Sequence, residues 1–212
     1  MSKTLHQFSV LDRASGTDAT VELRGELTTR DFIDVERSWG PARLDILTRL
    51  DAANVHRAAW PESWHWNWHQ KASRLSLPVT ITFAAWSLRG PEAVMMVKTA
   101  PYQARLVPDV GKHLVYIDFI EVAPWNWTVP SIAQKPTLTG LGSQLVQVAV
   151  ALSVSEEFRG RVGLHSLPQS EAWYKNRGFT NLGPDLHKQG LAYLERPAAQ
   201  PQQPTSQSGA DT

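Results

Sequence analysis

Apolar positions along the chain fall into two kinds of pattern, short β-prone runs and longer stretches at helical spacing. Residues 7–11 and 19–23 are short and β-prone, separated by the turn cluster Ser15-Gly16-Thr17-Asp18. Residues 79–88 (VTITFAAWSL) and 93–99 (AVMMVKT) alternate or are apolar throughout, and Arg89-Gly90-Pro91-Glu92 between them predicts an antiparallel hairpin. Residues 113–122 (HLVYIDFIEV), rich in β-branched and aromatic side chains, predict a long strand, and 161–167 and 190–195 predict two more. Thr28-Thr29-Arg30-Asp31 offers an N-cap to a helix running to about Ser38, where Gly40-Pro41 predicts a break. A second helix is expected over 42–58, with Leu44, Ile46, Leu47, Leu50 and Val55 on its apolar face. Leu145, Val148, Ala149 and Leu152 place an amphipathic helix over 143–155, and a short helix over 168–176 stops at Gly178-Phe179. In the second half the order strand, glycine loop, helix, strand, helix, strand predicts an α/β fold with a mixed sheet and at least one crossover.

Composition narrows the function. The 212 residues are 42% hydrophobic and 19% charged, an ordinary globular balance. The formal net charge is +1, so no global basic field exists to hold a nucleic-acid backbone, and general nucleic-acid binding is not expected. Cysteine is absent, which excludes disulfides and thiol catalysis. No run nears eighteen apolar residues and MSKTLHQFSVLDR lacks the apolar segment of a signal peptide, so no membrane association and a soluble, cytoplasmic protein are expected. Residues 197–212 (PAAQPQQPTSQSGADT) contain no large apolar side chain and are expected to form a disordered tail. Nine Trp against four Tyr is an excess, and WPESWHWNWHQK from Trp60 concentrates it; such a segment builds either core or an aromatic pocket wall. His65 and His69 are four apart, but no third ligand accompanies them and no metal is expected.

The chemistry concentrates around Gly140-Leu141-Gly142, between a strand and a helix. Glycine lets backbone approach a ligand closely, and the free N–H groups of a helix start favour phosphate. It is not a P-loop, because no Gly-Lys-Ser/Thr follows. Three pieces stand in order: Val122-Ala123-Pro124; Thr137-Leu138-Thr139-Gly140-Leu141-Gly142; and Tyr174-Lys175-Asn176-Arg177-Gly178-Phe179. Together they resemble the GNAT superfamily of N-acetyltransferases over roughly residues 79–196. The chain departs from the family in carrying Thr137 where Gln or Arg is usual, and in a longer loop from Trp125 to Pro136.

The resemblance implies one domain over 1–196, with N-terminal strands and helices to residue 78 and a cofactor-binding core over 79–196. Its sheet would be mixed and mostly antiparallel, with six to seven strands flanked by helices, and would splay at the acetyl-CoA site. Acetyl-CoA would be the co-substrate and a primary amine the acceptor. Backbone groups of Ile120, Glu121 and Val122 would pair with the pantetheine arm, and Thr137, Gly140, Leu141, Gly142 and Ser143 would hold the pyrophosphate. Ser166 and Gln169 are further candidates for cofactor contact. Tyr174 matches the general acid that protonates the departing thiolate. Glu121 and Asp118 are candidates for the general base; three apart on a strand, they are expected on opposite faces, and Glu121 at the strand end is preferred. Trp66, Trp125 and Asn126 are expected to line the acceptor side. A catalytically silent acyl-CoA-binding module, and an interaction protein using its Trp-rich surface, remain as alternatives, and a homodimer is compatible with the sequence.

Overall fold

A computed structural model describes residues 2–199. Within the expected tail, Ala199 donates its N–H to the Arg159 carbonyl at 2.9 Å, and 200–212 lies outside the described residues. The strands are β1 (Lys3–Asp12), β2 (Thr17–Gly25), β3 (Thr80–Ser87), β4 (Gly90–Lys98), β5 (Val115–Val122), β6 (Leu138–Thr139), β7 (Val162–Ser166), β8 (Thr180–Asp185) and β9 (Leu191–Arg196). They join one sheet in the order β6-β1-β2-β3-β4-β5-β7-β9-β8, in which only β5 and β7 run parallel. Nine strands therefore replace the expected six to seven. The two additions lie at the sheet edges: β6 has two residues, and β8 is half exposed along its length and contains Gly183-Pro184, so neither carries an apolar run.

Helix α1 (Thr29–Ala52) covers one face of the sheet with the short α2 (Trp68–Lys71), and α3 (Leu141–Ser155) covers the other. A five-residue helix, α4 (Glu171–Lys175), lies between β7 and β8. Helix α1 begins at a capping box: Thr28 accepts from Asp31 N and donates its own N–H to the Asp31 carboxylate. It then runs straight through Pro41, where a break is expected from sequence. The reason is the phase of its buried face. Phe32, Val35, Trp39, Arg43, Ile46 and Leu50 keep one helical stripe across the proline, and Trp39 Nε1 donates to Pro91 O at 2.7 Å. That packing outweighs the roughly 3 kcal/mol an interior proline costs.

Strands β3 and β4 are buried on both faces, which explains their unbroken apolar runs. Phe83, Met95 and Val97 face α3 with Leu145 and Ala149, whereas Ala84, Val94 and Met96 face α1 and Trp68. The hairpin turns at Leu88-Arg89, one step earlier than the expected turn, with Ser87 opposite Gly90.

Two irregularities in β5 create the site. Its pairing with β4 slips between Met96 and Val97, leaving Asp118 as the extra residue of a bulge. Its pairing with β7 stops after Ile117–Leu164, while β5 continues beside β4 to Val122. The sheet therefore opens between β5 and β7.

Candidate active site

The opening leads into a cavity of about 540 Å³. Its walls come from the end of β5, the start of α3, the segment from Pro61 to Ser63, the loop after β5, and the stretch from Leu167 to Arg177. The Ala123 N–H bonds to Glu92 O on β4. Strand alternation then turns the backbone groups of Ile120 and Val122 toward the open side and those of Glu121 toward β4. Trp127 Nε1 already donates to Val122 O at 3.1 Å.

At the other wall, Gly140 adopts φ +99°, a conformation L side chains rarely take, and no side chain caps α3. The first helical bond is Gln144 N to Gly140 O, so the N–H groups of Leu141, Gly142 and Ser143 precede it and face outward as an anion cradle. A Cβ on Gly142 would stand 3.3 Å from the Trp173 ring, so glycine is needed there for the ring's approach.

Glu121 sits in the cavity wall but is only 5% exposed. Trp68 Nε1 donates to its Oε2 at 2.6 Å, and its buried Oε1 has no partner among the described residues. Burial pushes the carboxyl up from near 4.5 to about 7, against the opposing pull of Ser63, Trp68, Arg43 and Lys71. Trp68 is held in turn by Glu36, which accepts the Trp68 backbone N–H at 3.0 Å and an Arg43 Nη1 bond at 2.7 Å. The expectation that Asp118 and Glu121 lie on opposite faces fails at the bulge. Lys71, on α2, feels both carboxylates, and Asp118 is spent on ion pairs with Arg74 and Lys98 at 3.1 and 2.8 Å.

Tyr174, 6% exposed, lines the same cavity. Its ring packs edge-on against Trp173 and Phe179, and its hydroxyl makes no hydrogen bond among the described residues. Burial lifts the phenol well above its ordinary range, so it stays protonated.

With this geometry in view, solved structures supply the comparison. An acetyltransferase of the GNAT family from Listeria monocytogenes is 14% identical, with 90% of this chain and 99% of that chain covered and a TM-score of 0.50. PaiA N-acetyltransferase from Thermoplasma acidophilum, solved in complex with coenzyme A, is 13% identical, with 83% and 98% covered and a TM-score of 0.52. The chain has the GNAT fold. No protein-family model and no curated protein matches the sequence. No described helix is long and apolar enough to cross a membrane.

Within this GNAT fold, Ile120, Glu121, Val122, Asn126, Gly140, Leu141, Gly142, Ser143 and Tyr174 share one cavity. Three other candidates from the sequence lie outside its lining. Thr137 turns to the loop after β5, its N–H donating to Trp125 O at 3.2 Å. Trp125 gives its Nε1 to Glu92 at 2.6 Å and packs on the α1 side. Trp66 packs edge-on against Phe119 and sheathes Lys71, whose Nζ lies 4.6 Å from the Trp66 ring centroid. Asn126 does reach the cavity, but both ends of its amide are engaged, with Glu92 at 2.8 Å and Leu138 N at 2.8 Å. The fully buried Glu92 thus acts as the clamp that shapes this loop. Gln169 lines the cavity and ties α4's approach to Trp60 and Glu62, whereas Ser166 donates to Leu167 O, outside the lining. Sequence reasoning missed Trp68, Trp127, Trp173 and Arg177. No local signal marks the last pair: Arg177 lies in the turn just beyond α4, and its stacking on Trp173 is seen only in the fold.

Proposed function

We propose that the protein is an acetyl-CoA-dependent N-acetyltransferase acting on a primary amine. The observation that carries this reading is the pairing, in one cavity, of a buried carboxylate and a buried phenol beside an uncapped helix start. The pantetheine arm would run along the open edge of β5, bonding Ile120 and Val122 backbone groups as an added strand does. The diphosphate would rest on the N–H groups of Leu141, Gly142 and Ser143.

An alkyl ammonium must lose a proton before it attacks. Glu121, poised at about 7, takes it directly or through a water. The amine nitrogen then forms a bond to the thioester carbonyl carbon, the carbon–sulfur bond breaks, and Tyr174 donates its proton to the leaving thiolate. Because Glu121 works only when ionised, turnover should rise with pH through about 7 and then level off. A silent acyl-CoA-binding module would need neither group. A thiol-release assay with acetyl-CoA and a panel of primary amines tests the reading. Amine-dependent thiol release supports transfer; coenzyme A binding without release for any amine overturns it.

A further inference from the structure

Arg177 contributes the single arginine or lysine side chain among the residues that line the cavity. The other charged residues of the lining are the carboxylates Glu62 and Glu121. The guanidinium stacks on the Trp173 ring at 3.7 Å from its centroid. Its Nε donates to Ser143 Oγ at 3.0 Å and its Nη1 to Trp173 O at 3.0 Å. Those two bonds fix the plane of the group beside the first turn of α3. They use two of its five N–H donors, leaving three for a ligand.

We infer that Arg177 is the diphosphate-binding residue of this protein. Helix N–H groups alone give partial charges, whereas a diphosphate carries full ones. A planar guanidinium held flat on an indole and anchored to Ser143 presents a fork to phosphate oxygens with little ordering left to do. Arg177 would also serve where Thr137 does not, since the Thr137 side chain turns away to Trp125. Two structural bonds alone would tie α4 to α3 equally well through a residue outside the cavity; the free donors inside it are what point to an anion.

This inference rests on the acyl-CoA reading, and calorimetry separates the two. The parent should bind coenzyme A; if it does not, the acyl-CoA reading fails first. Arg177→Gln should bind coenzyme A about 10–100-fold more weakly, with the same loss for dephospho-coenzyme A, which keeps the diphosphate and lacks only the 3′-phosphate. Pantetheine, which has no diphosphate, should bind parent and variant equally. Arg177→Lys should fall between, keeping the charge and losing the fork. Equal coenzyme A affinity in parent and Arg177→Gln overturns the assignment. So does a loss that disappears with dephospho-coenzyme A, or one that extends to pantetheine, which would mark Arg177 as a structural staple.

Discussion

Glu121 on β5 and Tyr174 on α4 face the same cavity, are 5% and 6% exposed, and have their pKa raised by the same cause, burial. The consequences are opposite. The carboxyl starts far below neutrality, and burial brings it to about 7, where it can give and take a proton. The phenol starts far above neutrality, and burial only secures its proton. One physical effect, applied to two groups with different ordinary values, leaves one group able to exchange a proton near neutrality and the other protonated. The two groups also differ in how they are held. Glu121 is held through Trp68 by the partly buried Glu36–Arg43 pair on the long helix α1. Tyr174 stands on a five-residue helix with its hydroxyl unrestrained by any described hydrogen bond.

The strongest way to break this comparison is to remove each proton carrier in turn. Glu121→Gln should lower turnover about 10²–10⁴-fold at pH 8 and abolish the rise through pH 7. The same variant should be more stable. Glu121 holds its proton more tightly folded than unfolded, so its share of stability is present below about 4.5 and is lost as pH rises through about 7. At pH 8 the variant should therefore gain up to about 3 kcal/mol, checked by urea unfolding at pH 5 and pH 8. Unchanged stability at pH 8 would mean the carboxylate is better solvated than its burial indicates.

Tyr174→Phe should also cost about 10²–10⁴-fold in turnover, with acetyl-CoA affinity nearly unchanged, because the ring and its packing survive. Steady-state kinetics beside calorimetry would show this. Full turnover in the variant would leave positioning of the two substrates as the main source of catalysis. A smaller effect sharpens the comparison from the Glu121 side. Trp68→Phe removes the indole N–H that favours the ionised carboxylate, so the acid limb of the pH–rate profile should move up by about one unit, with roughly tenfold less turnover at pH 7 and recovery at higher pH. A uniform loss at every pH would instead indicate general damage to the core around Trp68.

What the sequence pattern revealed, and what it hid, follows from the range of the forces involved. The glycine helix start, the β3–β4 hairpin and the β5 strand are local features, written in backbone permissiveness and apolar runs, and all three form, the hairpin turn shifted by one step. Pro41 misleads because local propensity argues for a break while a buried stripe on both sides of it argues against one, and the stripe is visible only when positions 32–50 are read together. Glu121 does line the cavity, but the parity argument that set it apart from Asp118 fails: a bulge at Asp118 depends on β4 and leaves no local trace. Trp66 and Trp68 are two apart in the same aromatic run. Which one reaches the carboxylate depends on where the chain turns into α2, which the aromatic run alone does not encode. Arg177 reads as an ordinary exposed helix end until α3 is placed beside it.

The central claim is that burial holds Glu121 near neutrality in the wall of the cavity. It can be tested without knowing the acceptor, by following the side-chain carboxyl ¹³C signals of glutamate from pH 4 to pH 9 in the parent and in Glu121→Gln. The account predicts one signal in the parent with a midpoint near 7, missing from the variant. A Glu121 midpoint in the ordinary carboxylate range, near 4.5, would contradict it.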